Sequence, residues 1–109
     1  MTTDEAERLA RNQSFFRQVN ERIREITGEQ GYVEQEFLCE CADPGCTDRV
    51  ALTVQEYEAI RTRPTRFVLV PGHNAPEFER VVAGADDHLV VDKIGLAGTL
   101  AAELDPRDS

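Results

Sequence analysis

The sequence predicts a small α+β domain: an N-terminal helix, a cysteine metal loop, and a small, mainly antiparallel sheet with two short helices. Three observations carry this prediction. Helical periodicity runs through residues 3–27, short β-prone runs bounded by turn residues follow from residue 35, and the last two runs are spaced as a hairpin. The order is α, cysteine loop, β, α, β, β-hairpin, α. With no repeat, low-complexity segment or internal linker, 109 residues suit one compact domain, with residues 1–28 as its helix and 29–109 as its metal-bearing body.

The first helix is expected over 3–27. Thr3 or Asp4 can cap it, Asp4, Glu5 and Glu7 complement its positive end, and Gly28 stops it. Asp4–Arg8 and Glu7–Arg11 are supportive i,i+4 pairs. Leu9, Phe16, Val19, Ile23 and Ile26 form an apolar row interrupted by Asn12. Such a stripe ordinarily packs on its own domain. It is also longer than a small domain needs, so these five residues are candidates for binding a protein partner or a second copy of the chain. Residues 29–48 carry six carboxylates and no basic residue, a solvated loop or a patch for a basic partner.

Residues 35–39 form a short strand leading into the cysteines. Val50, Leu52 and Val54 alternate on a second strand, and Thr53-Val-Gln-Glu56 is a capping box that opens a helix over 54–62. Tyr57 and Ile60 face inward there, and Pro64 ends it. Residues 66–70 are apolar on both faces, the pattern of a central strand. Pro71-Gly72 breaks that strand and presents His73. Residues 78–83 and 88–94 form the hairpin around Gly84-Ala-Asp-Asp87. A last helix over 96–104, with Leu100 and Leu104 inward, is weakened by Gly98 and ended by Asp105-Pro106.

Composition excludes several classes. Lys and Arg total 12 against 21 Asp and Glu, a formal charge of −9, which disfavours nucleic acid and anionic membrane surfaces. No apolar run approaches a membrane span and no signal-peptide core opens the chain, so a cytoplasmic setting is expected. Thiols stay reduced there, and clustered cysteines favour metal over disulfide.

All three cysteines fall within Cys39-Glu-Cys41-x₄-Cys46. On an extended backbone Cys39 and Cys41 share a face, with Glu40 opposite. Asp43-Pro-Gly-Cys46 is a turn that swings the third sulfur back toward them. Three thiolates are most of a tetrahedral zinc site, whereas an iron–sulfur cluster usually takes four cysteines. His73 is the favoured fourth ligand. His88 is expected to meet solvent or a neighbouring acid, and Asp43 or Asp48 are oxygen alternatives. If His73 closes the site, strand 66–70 is expected to run antiparallel to strand 49–54. No deaminase motif, nucleophile elbow, Ser-His-Asp order or phosphate-binding loop is present, and three thiolates leave zinc a poor Lewis acid. A structural Zn²⁺ site in a protein-interaction or regulatory module is expected, without catalysis. A zinc/thiol redox switch is the alternative and a zinc-dependent hydrolase ranks third.

The run Phe37-x-Cys39-Glu40-Cys41…Cys46, with Leu52-Thr53…Glu56-Tyr57-Glu58…Arg61, Pro71-Gly72-His73, Glu79-x-Val81-Val82 and Val90-Val91-x-Lys93, resembles a group of small actinobacterial zinc-binding-like proteins. The resemblance spans about residues 15 to 107, counted on the sequence. It implies a compact cytoplasmic domain with zinc at Cys39, Cys41, Cys46 and His73, and implies no activity.

Overall fold

The computed structural model describes residues 3–27, 34–41, 43, 45–85 and 87–105, with side chains from 7 to 26 in the first helix. The side chains of Thr3, Asp4 and Glu5, and all of Gly28, residues 29–33, Pro44, Asp86 and Pro106, lie outside that set. So do the capping, ion-pair, turn and stop roles expected of them.

Among the described residues, eight elements follow the expected order. They are α1 (Thr3–Thr27), β1 (Gln35–Leu38), β2 (Arg49–Leu52), α2 (Val54–Ile60), β3 (Arg66–Leu69), β4 (Glu79–Gly84), β5 (Leu89–Lys93) and α3 (Gly95–Glu103). The capping box at α2 is formed in both directions: Glu56 N donates to Thr53 Oγ1 (3.1 Å) and Thr53 N to Glu56 Oε1 (2.9 Å). No helix among the described residues is long and apolar enough to cross a membrane.

The strands are all antiparallel but fall in two sheets, β1-β2 and β3-β5-β4. β5 is therefore the central strand, and β3 stands at an edge, which corrects the expectation from its two apolar faces. Both faces of β3 are apolar because Phe67 and Leu69 pack on the cysteine side while Val68 packs with Phe37, Val50 and Tyr57. Its open backbone edge is satisfied by the cysteine segment. Glu40 N donates to Val68 O (2.8 Å), Val68 N to Glu40 Oε1 (3.1 Å), and Val70 N to Cys39 Sγ (3.2 Å). Buried edge groups need such partners, and here they come from the stretch just beyond β1. The antiparallel direction expected between residues 66–70 and 49–54 is therefore not found: β2 runs against β1, β3 runs against the segment that continues β1, and the two lie in separate sheets with a shared direction. Cys39 lies opposite Val70 and Glu40 opposite Val68, so β3 runs against the cysteine segment instead.

α1 covers this junction with a face that is largely polar. Gln13, Ser14, Arg17 and Asn20 are buried beside Ala10 and Phe16. Gly98 of α3 sits so close to the end of β5 that a Cβ there would lie 2.8 Å from Lys93 O. That glycine permits the helix to pack, beyond weakening it. Leu100 turns partly inward as expected, but Leu104 is 38% exposed, and α3 buries Ala97, Gly98 and Ala101 instead.

Candidate metal centre

The site forms where the chain leaves β1. Cys39 N donates to Asp48 O (3.0 Å), extending the β1–β2 pairing by one rung, and alternation then puts Cys39 and Cys41 on one face. Both sulfur-bearing residues are buried with Phe67, Leu69, Val91 and Ala101. The turn that returns Cys46 is closed twice by Asp43, whose carbonyl accepts from Cys46 N (3.1 Å) and whose Oδ1 accepts from Gly45 N (2.9 Å). Asp43 thus serves the turn.

His73 arrives on a second turn. His73 N donates to Val70 O (3.0 Å), with Pro71 and Gly72 between and Gly72 at φ 91°. Proline at the second position and a positive-φ glycine at the third define a type II turn. It aims Nδ1 at the sulfurs, 3.5 Å from Cys39 Sγ and 3.6 Å from Cys46 Sγ. Nε2 faces the other way, 3.4 Å from Asp48 Oδ2. A ring that carries its proton on Nε2, on the side of that carboxylate, has the Nδ1 lone pair free for a cation, the usual arrangement for a metal-bound imidazole. His88 stays apart, its Nδ1 2.9 Å from Asp87 Oδ1, so it meets the neighbouring acid as expected.

One ligand atom from each of Cys39, Cys41, Cys46 and His73 lies within 4.8 Å of all the others. The four residues are thus near enough together to bind a metal ion. Zinc bonded to sulfur at about 2.3 Å and to nitrogen at about 2.05 Å, at the tetrahedral angle, separates the two donors by about 3.6 Å. The two sulfur–nitrogen distances match that spacing.

The electrostatics ask for a cation. Burial pushes the Cys39 thiol well above its ordinary range; the Val70 N–H opposes the rise, and Cys41 and Cys46 add to it. Burial also raises Cys41. Raised in this way, the Cys39 and Cys41 thiols give up their protons more readily when a positive ion takes the protons' place.

The residues behind the site were the ones sequence reasoning missed. Glu40 does point away from the cysteines, but into a fully enclosed polar cluster, at 0% exposure. Its Oε2 accepts from Asn20 Nδ2 and Tyr57 OH, both at 2.9 Å, and Oε1 from Val68 N. Asn20 also clasps Leu38, donating to its carbonyl (2.9 Å) and accepting from its N–H (2.7 Å). Arg17 lies over the Phe67 ring at 3.6 Å and donates to Pro64 O (2.7 Å) and Arg66 O. Glu79 is buried against Lys93. The available signal was a second row on α1, Ala10, Gln13, Arg17 and Asn20, spaced three or four residues apart beside the apolar row.

Of that apolar row, Phe16 is buried, Leu9 and Ile23 pack partly against the core, Val19 is half-buried, and Ile26 is 74% exposed. Phe15, off the row, is exposed as well.

The chain matches no protein-family model, and comparison with curated proteins and with solved structures finds no match either.

Proposed function

We propose that Cys39, Cys41, Cys46 and His73 hold a structural zinc ion, and that the protein is a small metal-stabilised module for protein interaction or regulation. The supporting observation is the placement of His73 Nδ1 at 3.5 and 3.6 Å from two of the three sulfurs, the donor spacing of tetrahedral zinc. Soft thiolate donors suit zinc, and the N–H from Val70 to Cys39 Sγ disperses charge on a bound thiolate. With the fourth position taken by imidazole, no place is left for an activated water, so this reading has no catalytic step. Partner contact falls to the exposed apolar side chains of α1, Ile26 and Phe15, for a protein partner or a second copy of the chain.

Elemental analysis of purified protein is the test, with about one zinc per chain expected. A Cys39→Ser/Cys41→Ser protein that keeps full zinc and full thermal stability would overturn the reading. Light scattering on the protein and on Ile26→Glu tests the surface of α1: a dimer lost on substitution supports self-association through it.

A thiol switch is the second reading, favoured by the part exposure of Cys46 and His73 at the rim of the site. Hydrogen peroxide would oxidise two thiolates to a disulfide and be reduced, with two protons from solvent, to two water molecules, and the zinc would leave. Release at micromolar peroxide, reversed by thioredoxin, supports the switch; slow and irreversible release supports the structural role.

A further inference from the structure

The metal-binding residues come from two separate pieces of chain, and one side chain outside the site touches the supports of both. Gln13 of α1 is 1% exposed. Its Nε2 donates to Glu40 O at 3.2 Å and to Glu79 Oε2 at 2.8 Å. Glu40 lies between Cys39 and Cys41, so the first bond fixes the backbone that aims the two buried sulfurs. Glu79 is the opening residue of β4, and its other oxygen, Oε1, accepts from Ala75 N at 2.6 Å. Ala75 lies two residues beyond His73. The histidine is therefore suspended between two anchors. Val70, bonded to Cys39 Sγ, holds the near end of its loop, and Glu79 holds the far end.

We propose that Gln13 is a positioning residue for the metal site, setting the separation between the thiolate segment and the His73 loop. The proposal rests on the zinc reading above and adds a residue that contacts no ligand atom. Charge balance does not require Gln13, because Lys93 already pairs with Glu79. Backbone satisfaction alone accounts for its bond to Glu40 O but not for the second bond to Glu79. A single amide nitrogen carrying two donors suits the task, since its two N–H bonds diverge at a fixed angle and neither contact can lengthen without loss. The tolerance is small: zinc–ligand bonds hold to within about 0.2 Å, so a loop that drifts by even half an ångström loses its place in the coordination shell.

The test is a double-mutant cycle on the full-length protein, pairing Gln13→Met with His73→Ala. Met keeps the length of the side chain and removes both donors. Zinc affinity is measured by competition with a chromophoric chelator, and the visible spectrum of the Co²⁺-loaded protein reports the donor set. Circular dichroism confirms that each variant is folded. Gln13→Met is expected to weaken zinc binding about 10- to 100-fold, the usual effect of removing an outer-shell partner. It should also move the Co²⁺ bands toward those of His73→Ala. In the His73→Ala background the same substitution is expected to cost clearly less, because the histidine it positions is already gone. If Gln13→Met does not fold, Gln13→Asn, one methylene too short for both contacts, takes its place in the cycle.

An equal loss in both backgrounds would overturn the proposal, since it would mean general support of the fold. Unchanged affinity and spectrum in Gln13→Met would overturn it too. Wild-type protein that takes up neither Zn²⁺ nor Co²⁺ would overturn the zinc reading itself, and the positioning role with it.

Discussion

Glu40 offers the sharpest test of how the site is held, because its carboxylate is enclosed and both of its oxygens accept hydrogen bonds. Replacing it with leucine removes the partner of three donors at once: Asn20 Nδ2, Tyr57 OH and Val68 N. Each buried donor left without a partner costs about 1–3 kcal/mol. Some relaxation by Tyr57 is available, since burial and the adjoining Glu40 charge already hold its hydroxyl protonated and free to rotate. Asn20 cannot turn over, because its Oδ1 is committed to Leu38 N. Arg17 also loses the nearby carboxylate that offsets the effect of its burial. A total of about 4 kcal/mol follows, a large share of the roughly 5–15 kcal/mol that stabilises a domain. Glu40→Gln should cost less, about 1–3 kcal/mol, because Val68 N keeps its acceptor while the new amide faces Asn20 donor to donor. Urea unfolding of zinc-saturated protein, followed by circular dichroism, measures both. Since 1 kcal/mol moves Tm by about 4 °C or more in a domain near this size, Glu40→Leu should melt well over 10 °C lower. A Glu40→Leu protein within about 1 kcal/mol of the parent would refute the reasoning, for the cluster would then be idle.

Three further outcomes are expected. Gly72→Ala forces a side chain onto φ 91° in the turn that carries His73; it should cost about 1 kcal/mol of stability and weaken zinc binding, both read in one chelator titration with thermal melts. Gly98→Ala drives a methyl group to 2.8 Å from Lys93 O, so α3 must shift off β5 at a cost of about 1–3 kcal/mol in urea unfolding, and an unchanged midpoint would deny the close approach. Zinc uptake at neutral pH should release at least the protons of Cys39 and Cys41, whose thiols burial raises. The sign follows: the empty site keeps those protons until pH rises past the raised range, so binding strengthens with pH, by up to about a hundredfold per unit for two protons. Calorimetry in buffers of different ionisation enthalpy counts them, and release of none would contradict the burial of the thiols.

Much of this protein was legible from local chemistry. The Cys-x-Cys alternation, the Pro-Gly turn before His73, the Thr53–Glu56 capping box and the hairpin at residues 79–93 each depend on interactions within a few residues, so short-range rules reach them. Cys39, Cys41, Cys46 and His73, the four residues that cluster near enough to bind a metal, were named from the same kind of reasoning. What only the tertiary structure decided was the partner of each exposed edge and buried face. β3 has two apolar faces because packing meets both, yet its hydrogen-bonding edge is closed by Glu40 and Cys39, and apolar pattern carries no record of which backbone lies alongside. The inward side of α1 was legible only in part, for a related reason. Gln13, Arg17 and Asn20 lie outside the apolar row, yet they are buried against carbonyls and carboxylates more than fifteen residues away along the chain. A polar side chain is cheap to bury only where its partners converge, and that convergence exists only once the chain has folded.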